Sequence, residues 1–227
     1  AAGHAHALAH LDLQPLADNG GPTPTVALGL TSDAIDATTG IAGDGICATS
    51  TDQRAVIRPA AAGCDIGAYE YQWPSTTTTQ VSIGATEIHA GVPAITTGDT
   101  IDDVATVTGG APDGTGTLDP TSGSVNFYYC HDAATAPTSC TSGDWTLAGN
   151  DTMDNGADPV DGEANATLSG WSPPDGPGWY LLSAVYDGSG GTYAASETTG
   201  DTANELVFVQ WPSTTTTQVS IGATEIH

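Results

Sequence analysis

The stretch QWPSTTTTQVSIGATEIH occurs twice in this chain of 227 residues, at 72–89 and at 210–227, with all 18 positions identical. Chance does not produce such a match, so it is a tandem duplication with a period of 138 residues, from Gln72 to Gln210. The period divides the chain into residues 1–71, one complete unit over 72–209, and the opening segment of a further unit over 210–227. A single segment has no core of its own. It is expected either to begin the next unit of one long chain or to complete the sheet of a neighbouring copy by strand addition. In the second case Gln218, Val219, Ile221 and Ile226 form the assembly strand. The contact runs head to tail, and it builds an open fibre if it does not close.

The unit reads as all-β. Candidate strands are 79–86, 104–108, 124–130, 164–168, 179–187 and 206–210. Several alternate with period 2, which places one set of side chains on a buried face. The inward sets are Val125, Phe127 and Tyr129; Ala164, Ala166 and Leu168; and Tyr180, Leu182, Ala184 and Tyr186. Turn residues separate them: Gly109-Gly110, Pro112-Asp113-Gly114, Asn155-Gly156 and Pro173 to Pro177. No stretch has helical period with caps. This many short strands in one unit points to an antiparallel β-sandwich.

Charge excludes several partners. Arg54 and Arg58 are the only basic residues against 27 acidic ones, a net charge of −25. Nucleic acid is excluded, since its binding needs rows of Lys and Arg to replace counterions. Anionic membrane surfaces are excluded for the same reason. No apolar run approaches the roughly 20 residues of a membrane-spanning helix. So acidic a chain repels itself and needs dissolved or bound cations. An extracellular setting fits, and the cysteines agree. Four cysteines allow three connectivities. Pairing within compositional blocks gives Cys47–Cys64 and Cys130–Cys140, without the spacing of a zinc or redox motif, and implies an oxidising compartment.

Asp103 to Gly109, then Gly123-Ser124-Val125-Asn126-Phe127-Tyr128-Tyr129-Cys130, then Cys140-Thr141-Ser142-Gly143, then Gly178-Trp179-Tyr180 with Ala184-Val185-Tyr186 resemble the immunoglobulin-like repeats of large bacterial surface proteins. The resemblance covers about 76–209. It implies an Ig-like sandwich serving as a stalk or adhesin module, with no catalytic residues. Tyr180 is then a tyrosine-corner-like residue bonding an upstream turn. The first part differs. Asp18-Asn19-Gly20-Gly21-Pro22-Thr23, Asp52-Gln53-Arg54-Ala55-Val56-Ile57-Arg58-Pro59 and Cys64-Asp65-Ile66-Gly67-Ala68-Tyr69-Glu70-Tyr71 resemble the C-terminal cap of secreted right-handed parallel β-helix proteins, over about 11–71. Ala55 stands where that pattern has glycine, and Asp33 where it has proline. The two arginines are expected to pin this cap through carboxylates and carbonyls.

Candidate sites are few. Asp151, Asp154, Asn155, Asp158, Asp161 and Glu163 fall close together with Gly156 and Gly162 between them; hard oxygens at this spacing suit Ca²⁺, and a solvated acidic loop is the alternative. Asp99, Asp102 and Asp103 form a second such cluster. His4, His6 and His10 are either metal ligands or part of a frayed terminus. Asn150 and Asn165 head glycosylation sequons, and Thr76–Thr79 with Thr214–Thr217 are O-glycan candidates or a stiff extended linker. No nucleophile has a recognisable catalytic context. The expected function is therefore a non-enzymatic extracellular structural protein, a repeat-built stalk or filament subunit that needs no cofactor and has itself as partner. The alternatives are an adhesin binding a glycan or protein ligand through Trp145, Trp171 and Trp179, and a β-helix polysaccharide-acting enzyme whose catalytic rungs lie elsewhere.

Overall fold

A computed structural model describes residues 10–38, 50–60, 63–110, 117–118, 123–141, 143–153, 163–188, 191–198, 202–213, 220–221 and 224–225. Among these the chain is all-β and holds no helix. The N-terminal part contributes β1 (Leu13–Ala17) and β2 (Thr25–Leu28). The unit contributes β3 (Ser75–Ile83), β4 (Thr86–Glu87), β5 (Ile95–Thr96), β6 (Ile101–Gly110), β7 (Thr117–Leu118) and β8 (Ser124–Asp132). It continues with β9 (Thr146–Thr152), β10 (Glu163–Trp171), β11 (Gly178–Tyr186), β12 (Ser196–Glu197) and β13 (Leu206–Gln210). The second copy of the repeated segment carries β14 (Ser220–Ile221) and β15 (Thr224–Glu225).

Two sheets face each other. One has the order β10-β6-β3-β4 and the other β5-β13-β11-β8-β9, with β7 on β6 and β12 on β11 at their margins. All pairings are antiparallel except β13 with β5. Of the long strands, the first, second and fifth (β3, β6, β10) share a sheet, and the third, sixth and seventh (β8, β11, β13) share the other. The fourth, β9, joins the second sheet, and the whole is an antiparallel β-sandwich. The inward sets expected from period 2 build its core: Val125, Phe127 and Tyr129, Ala164, Ala166 and Leu168, and Tyr180, Leu182, Ala184 and Tyr186 are all buried. Val81, Ile88, Ile101, Ala105, Val107, Val207 and Val209 fill the rest. Each large apolar side chain of this set contributes roughly 1.5–3 kcal/mol by leaving water.

Three local expectations are corrected. The first strand begins at Ser75, not Thr79, and the threonine run is no linker: it pairs with β6 from Ser75↔Gly109 to Ser82↔Asp102. Thr77 and Thr79 are buried, so O-glycans are excluded there, while Thr76 and Thr78 face solvent. Gly109-Gly110 ends β6 rather than forming a turn. A further strand, β9, pairs with β8 where none was expected.

Tyr180 takes the expected corner role. Its hydroxyl accepts from Asp175 N at 2.8 Å and donates to Gly176 O at 2.9 Å. Gly178 ahead of it has φ 143, and a Cβ there would lie 2.5 Å from His131 Nε2, so the Gly-x-Tyr entry to β11 is sterically required. Tyr180→Phe is expected to lower stability by about 1 kcal/mol, read by thermal unfolding.

The N-terminal part is held by polar groups. Asp52 accepts from the backbone of Arg54, Val56 and Glu70 and pairs with the Arg54 guanidinium at 2.8 Å. Burial opposes ionisation of Asp52, but these hydrogen bonds hold its carboxyl below the usual range. Arg54 also donates to Glu70 O and stacks over the Tyr69 ring at 3.6 Å. Arg58 meets the buried Glu70 at 3.3 Å and donates to Gly67 O. Glu70 in turn accepts from Ala60 N and Asp65 N. Asp65 is pushed up to about 6, chiefly by burial, against hydrogen bonds from Tyr71 N and Asp36 N. Both arginines thus bind carboxylates and carbonyls, as expected of pins.

Ala55 sits at φ 73, the left-handed region that glycine enters without strain. Ala55→Gly is expected to raise stability by about 1 kcal/mol, visible as a higher melting temperature. Ile35 and Tyr71 pack against the sandwich core, and Tyr71 meets Trp73 edge-on at 5.0 Å.

Candidate functional site

The repeated segment is seen in two settings within one chain. In the first copy Trp73 is 3% exposed and docks on the loop before β12, with Trp73 N donating to Thr192 O and Ala194 N to Trp73 O. Gln72 Nε2 donates to Gly191 O and Tyr193 O, both at 3.1 Å. Ser75 and Thr77 hydroxyls meet Ser196, and Thr79 Oγ1 donates to Glu205 Oε1 at 2.7 Å. Val81 and Ile88 are fully buried, and Gln80 Nε2 bonds Val81 O and Ile88 O. So this segment is an integral strand of the sandwich.

In the second copy Trp211, the counterpart of Trp73, is 71% exposed. Its hairpin is nevertheless formed: Ser220↔Glu225 and Ile221↔Thr224 repeat the register of Ser82↔Glu87 and Ile83↔Thr86. The pairing therefore follows from the local sequence that both copies share, while burial of the strand needs a sheet. Among the described residues, β14 pairs with β15 alone. Of the expected assembly residues, Gln218, Val219 and Ile226 lie outside the described residues, and Ile221 lies in β14. Their counterparts Gln80, Val81, Ile83 and Ile88 show what the segment contributes once docked: two fully buried side chains, one half-buried and one amide bonding backbone.

The junction is short. Gln210 ends β13 opposite Thr96, and the counterpart of Ser75, where β3 begins, is Ser213. Only Trp211 and Pro212 separate the last strand of one unit from the first strand position of the next, and proline keeps the preceding residue extended.

A second place on the molecule has the form of a binding cleft. The Cys130–Cys140 disulfide folds the loop after β8 over the outer face of the second sheet. There Cys130, Leu181 and Leu206 form a small cluster with Cys140, Trp145 and Trp179. Beside it opens a cleft of about 600 Å³, lined by Tyr128, Trp145, Val185 and Glu197 with hydroxyls of Ser139 and Ser183 among others. Of the three tryptophans proposed for ligand contact, Trp145 alone lines it. Trp171 packs on Tyr129 and Tyr180, and Trp179 stacks on Phe208 at 4.6 Å.

The expected cation loop lies largely outside the described residues, which exclude Asp154, Asn155, Asp158 and Asp161. Asp151 accepts from Thr152 N and Thr167 N, and Glu163 opens β10. The second acidic cluster does not converge. Asp99 accepts from Thr96, Asp102 from Gly170 N, and Asp103 points into the core. Among the described residues no group of three or more His, Cys, Asp or Glu is placed to hold a metal. His4 and His6 lie outside them, and His10 binds Thr31 O. Asn150 is exposed on β9, while Asn165 is half-buried and accepts from Thr106 Oγ1. Cys64 is disulfide-bonded, and its expected partner Cys47 lies outside the described residues. No helix here is long and apolar enough to cross a membrane. Compared with known proteins, the chain matches no family model and no curated protein.

Proposed function

We propose that this is a repeat-built extracellular structural protein, and that residues 210–227 dock in a unit of the same sequence where residues 72–89 dock here. One observation carries the reading: the same 18 residues bury Trp73 as part of a sandwich and leave Trp211 exposed. A sheet that accepts the first copy cannot distinguish it from the second, because every side chain and backbone donor is the same. Docking is therefore a near-isoenergetic exchange, in which residues 210–227 take the place of residues 72–89 of a neighbouring unit. The two-residue junction makes consecutive units close and stiffly joined.

Further features support the reading. Disulfides belong to oxidising compartments. The charge of −25 keeps units apart except where a specific contact is made. β1 and β2 leave Leu13, Leu16 and Val26 exposed, an apolar patch on the cap that a stacked neighbour would cover. Negative-stain electron microscopy of the native material, with intact mass on the same sample, tests the proposal. Fibres or rods with an axial repeat are expected; small monodisperse particles would overturn it.

A second reading has its own observation. The cleft beside the disulfide loop presents Trp145 and Tyr128 with hydroxyls and one carboxylate, a lining suited to a neutral glycan of an adhesin ligand. Binding on a glycan array that is lost in Trp145→Ala would favour it.

A further inference from the structure

The backbone of Gln210 and Trp211 has two edges, and the chain shows what belongs on each. On the first edge β13 runs parallel to β5, with Val209 opposite Ile95 and Gln210 opposite Thr96. Thr97 N donates to Gln210 O at 2.9 Å. The second edge is seen at the first copy of the repeated segment. There Trp73 bridges Tyr193 in parallel, Trp73 N donates to Thr192 O, and Ala194 N donates to Trp73 O, both at 2.8 Å. In an extended chain successive residues direct their N–H and C=O groups to opposite sides. Gln210 spends its side on Thr97, so Trp211 turns its own N–H and C=O away from β5. Pro212 keeps Trp211 extended, as Pro74 keeps Trp73.

We infer, on the docking reading above, that Gln210-Trp211 is the middle strand of a three-stranded parallel ribbon that joins two units face to face. Its neighbour on one side is the turn 96–99 of its own unit. Its neighbour on the other is residues 192–194 of the unit that receives residues 210–227. The Gln210 side chain adds to the grip. Its counterpart Gln72 donates Nε2 to Gly191 O and Tyr193 O at 3.1 Å, so Gln210 holds the turn with its backbone and the receiving loop with its amide. Neighbouring strands lie about 4.8 Å apart, which brings turn and loop within about 10 Å of each other across the ribbon.

Charge and shape fit this pairing. Residues 90–98 and 188–196 contain no charged side chain in a chain of net charge −25. Asp99 is turned back onto Thr96 N and Thr96 Oγ1, both at 2.8 Å. Two units meet here without the repulsion that separates them elsewhere. In the first unit the N-terminal part fills the same place, with Ile57 beside Gly191 and Tyr71 edge-on to Trp73. A segment that begins at Gln210 is preceded by residues 72–209 instead, and the turn 96–99 stands where the N-terminal part stood.

The test is cross-linking of the full chain carrying Thr97→Cys and Thr192→Cys with a bis-maleimide spanning about 10 Å, read on a denaturing gel. Both threonines are partly exposed. Within one chain they lie at opposite ends of β11, Thr97 by way of β13 near Gly178 and Thr192 beyond Tyr186. That separation is roughly 30 Å at the rise of a strand, so a product needs two units. A ladder of dimers and higher species is expected from the double variant and none from either single one. Thr108→Cys with Thr214→Cys reports docking of the segment on β6 alone. A ladder from that pair without one from Thr97→Cys/Thr192→Cys would overturn the ribbon and leave docking standing. No ladder from either pair would overturn docking, and the ribbon with it. Hydrogen exchange on the unsubstituted chain gives an independent readout. The Thr97 amide should exchange at least about tenfold more slowly in associated material than in dilute chain; an unchanged rate would overturn the ribbon.

Discussion

Replacing Trp73 by alanine is expected to cost about 3–5 kcal/mol of folding free energy, while the same change at Trp211 leaves the melting temperature of the isolated chain unchanged. The two tryptophans share all their sequence neighbours from Gln72 to His89 and from Gln210 to His227. They differ only in setting. Trp73 is wedged between Tyr71 and the Tyr193 strand bridge, and truncating it opens a cavity in the core. Trp211 has no such shell, since it is 71% exposed. Its loss should appear instead in association. By light scattering across a concentration series, the wild-type chain should gain mass and Trp211→Ala should remain monomeric. Equal melting temperatures for Trp73→Ala and wild type would mean that the first copy is not a structural strand of the unit.

The second large effect is in the N-terminal part. Arg58→Ala is expected to cost about 3–5 kcal/mol, because removing one partner leaves a charge buried without compensation. The Arg58 and Glu70 side chains are 5% and 1% exposed, so water does not replace the lost ion pair. Pairing the change with Glu70→Gln should recover part of the loss, since the amide still accepts from Ala60 N. The chain supplies a selective probe. Trypsin cuts after Lys and Arg but not before proline, and this chain has only Arg54 and Arg58, the latter followed by Pro59. Arg54-Ala55 is therefore the single tryptic bond. Native wild type should resist the enzyme there, and Arg58→Ala should be cut many times faster. Equal resistance would show that the N-terminal part does not depend on this pair.

The sandwich was largely legible because its strands follow the simplest rule in the sequence. Where apolar residues alternate strictly, as in Val125-x-Phe127-x-Tyr129, the inward face follows from period 2 alone. The rule fails where burial is not apolar. Thr77 and Thr79 face the core, but a threonine run carries no alternation, and their hydroxyls are satisfied only by the distant Ser196 and Glu205. β9 escapes for the opposite reason: Thr146–Thr152 is an edge strand with few buried positions, so nothing in it alternates. The repeated segment needed no structure to be noticed, only to show that its place in the sandwich is already taken. The burial of Asp103 and Glu205 gave no sequence signal, because nothing marks which of 27 acids are enclosed by the sandwich. The cleft is of the same kind, formed by a disulfide-bound loop folding back over a sheet.

The central claim is that 210–227 occupies, on another unit, the place of 72–89. The register gives a direct measurement. Thr76 lies opposite Thr108 across β3 and β6, on the solvent face, and Thr214 is the counterpart of Thr76. A chain carrying Thr108→Cys and Thr214→Cys, treated with a short bis-maleimide and run on a denaturing gel, should give a ladder of dimers and higher species. Each single substitution should give none. A double variant that stays monomeric at every concentration would contradict the account.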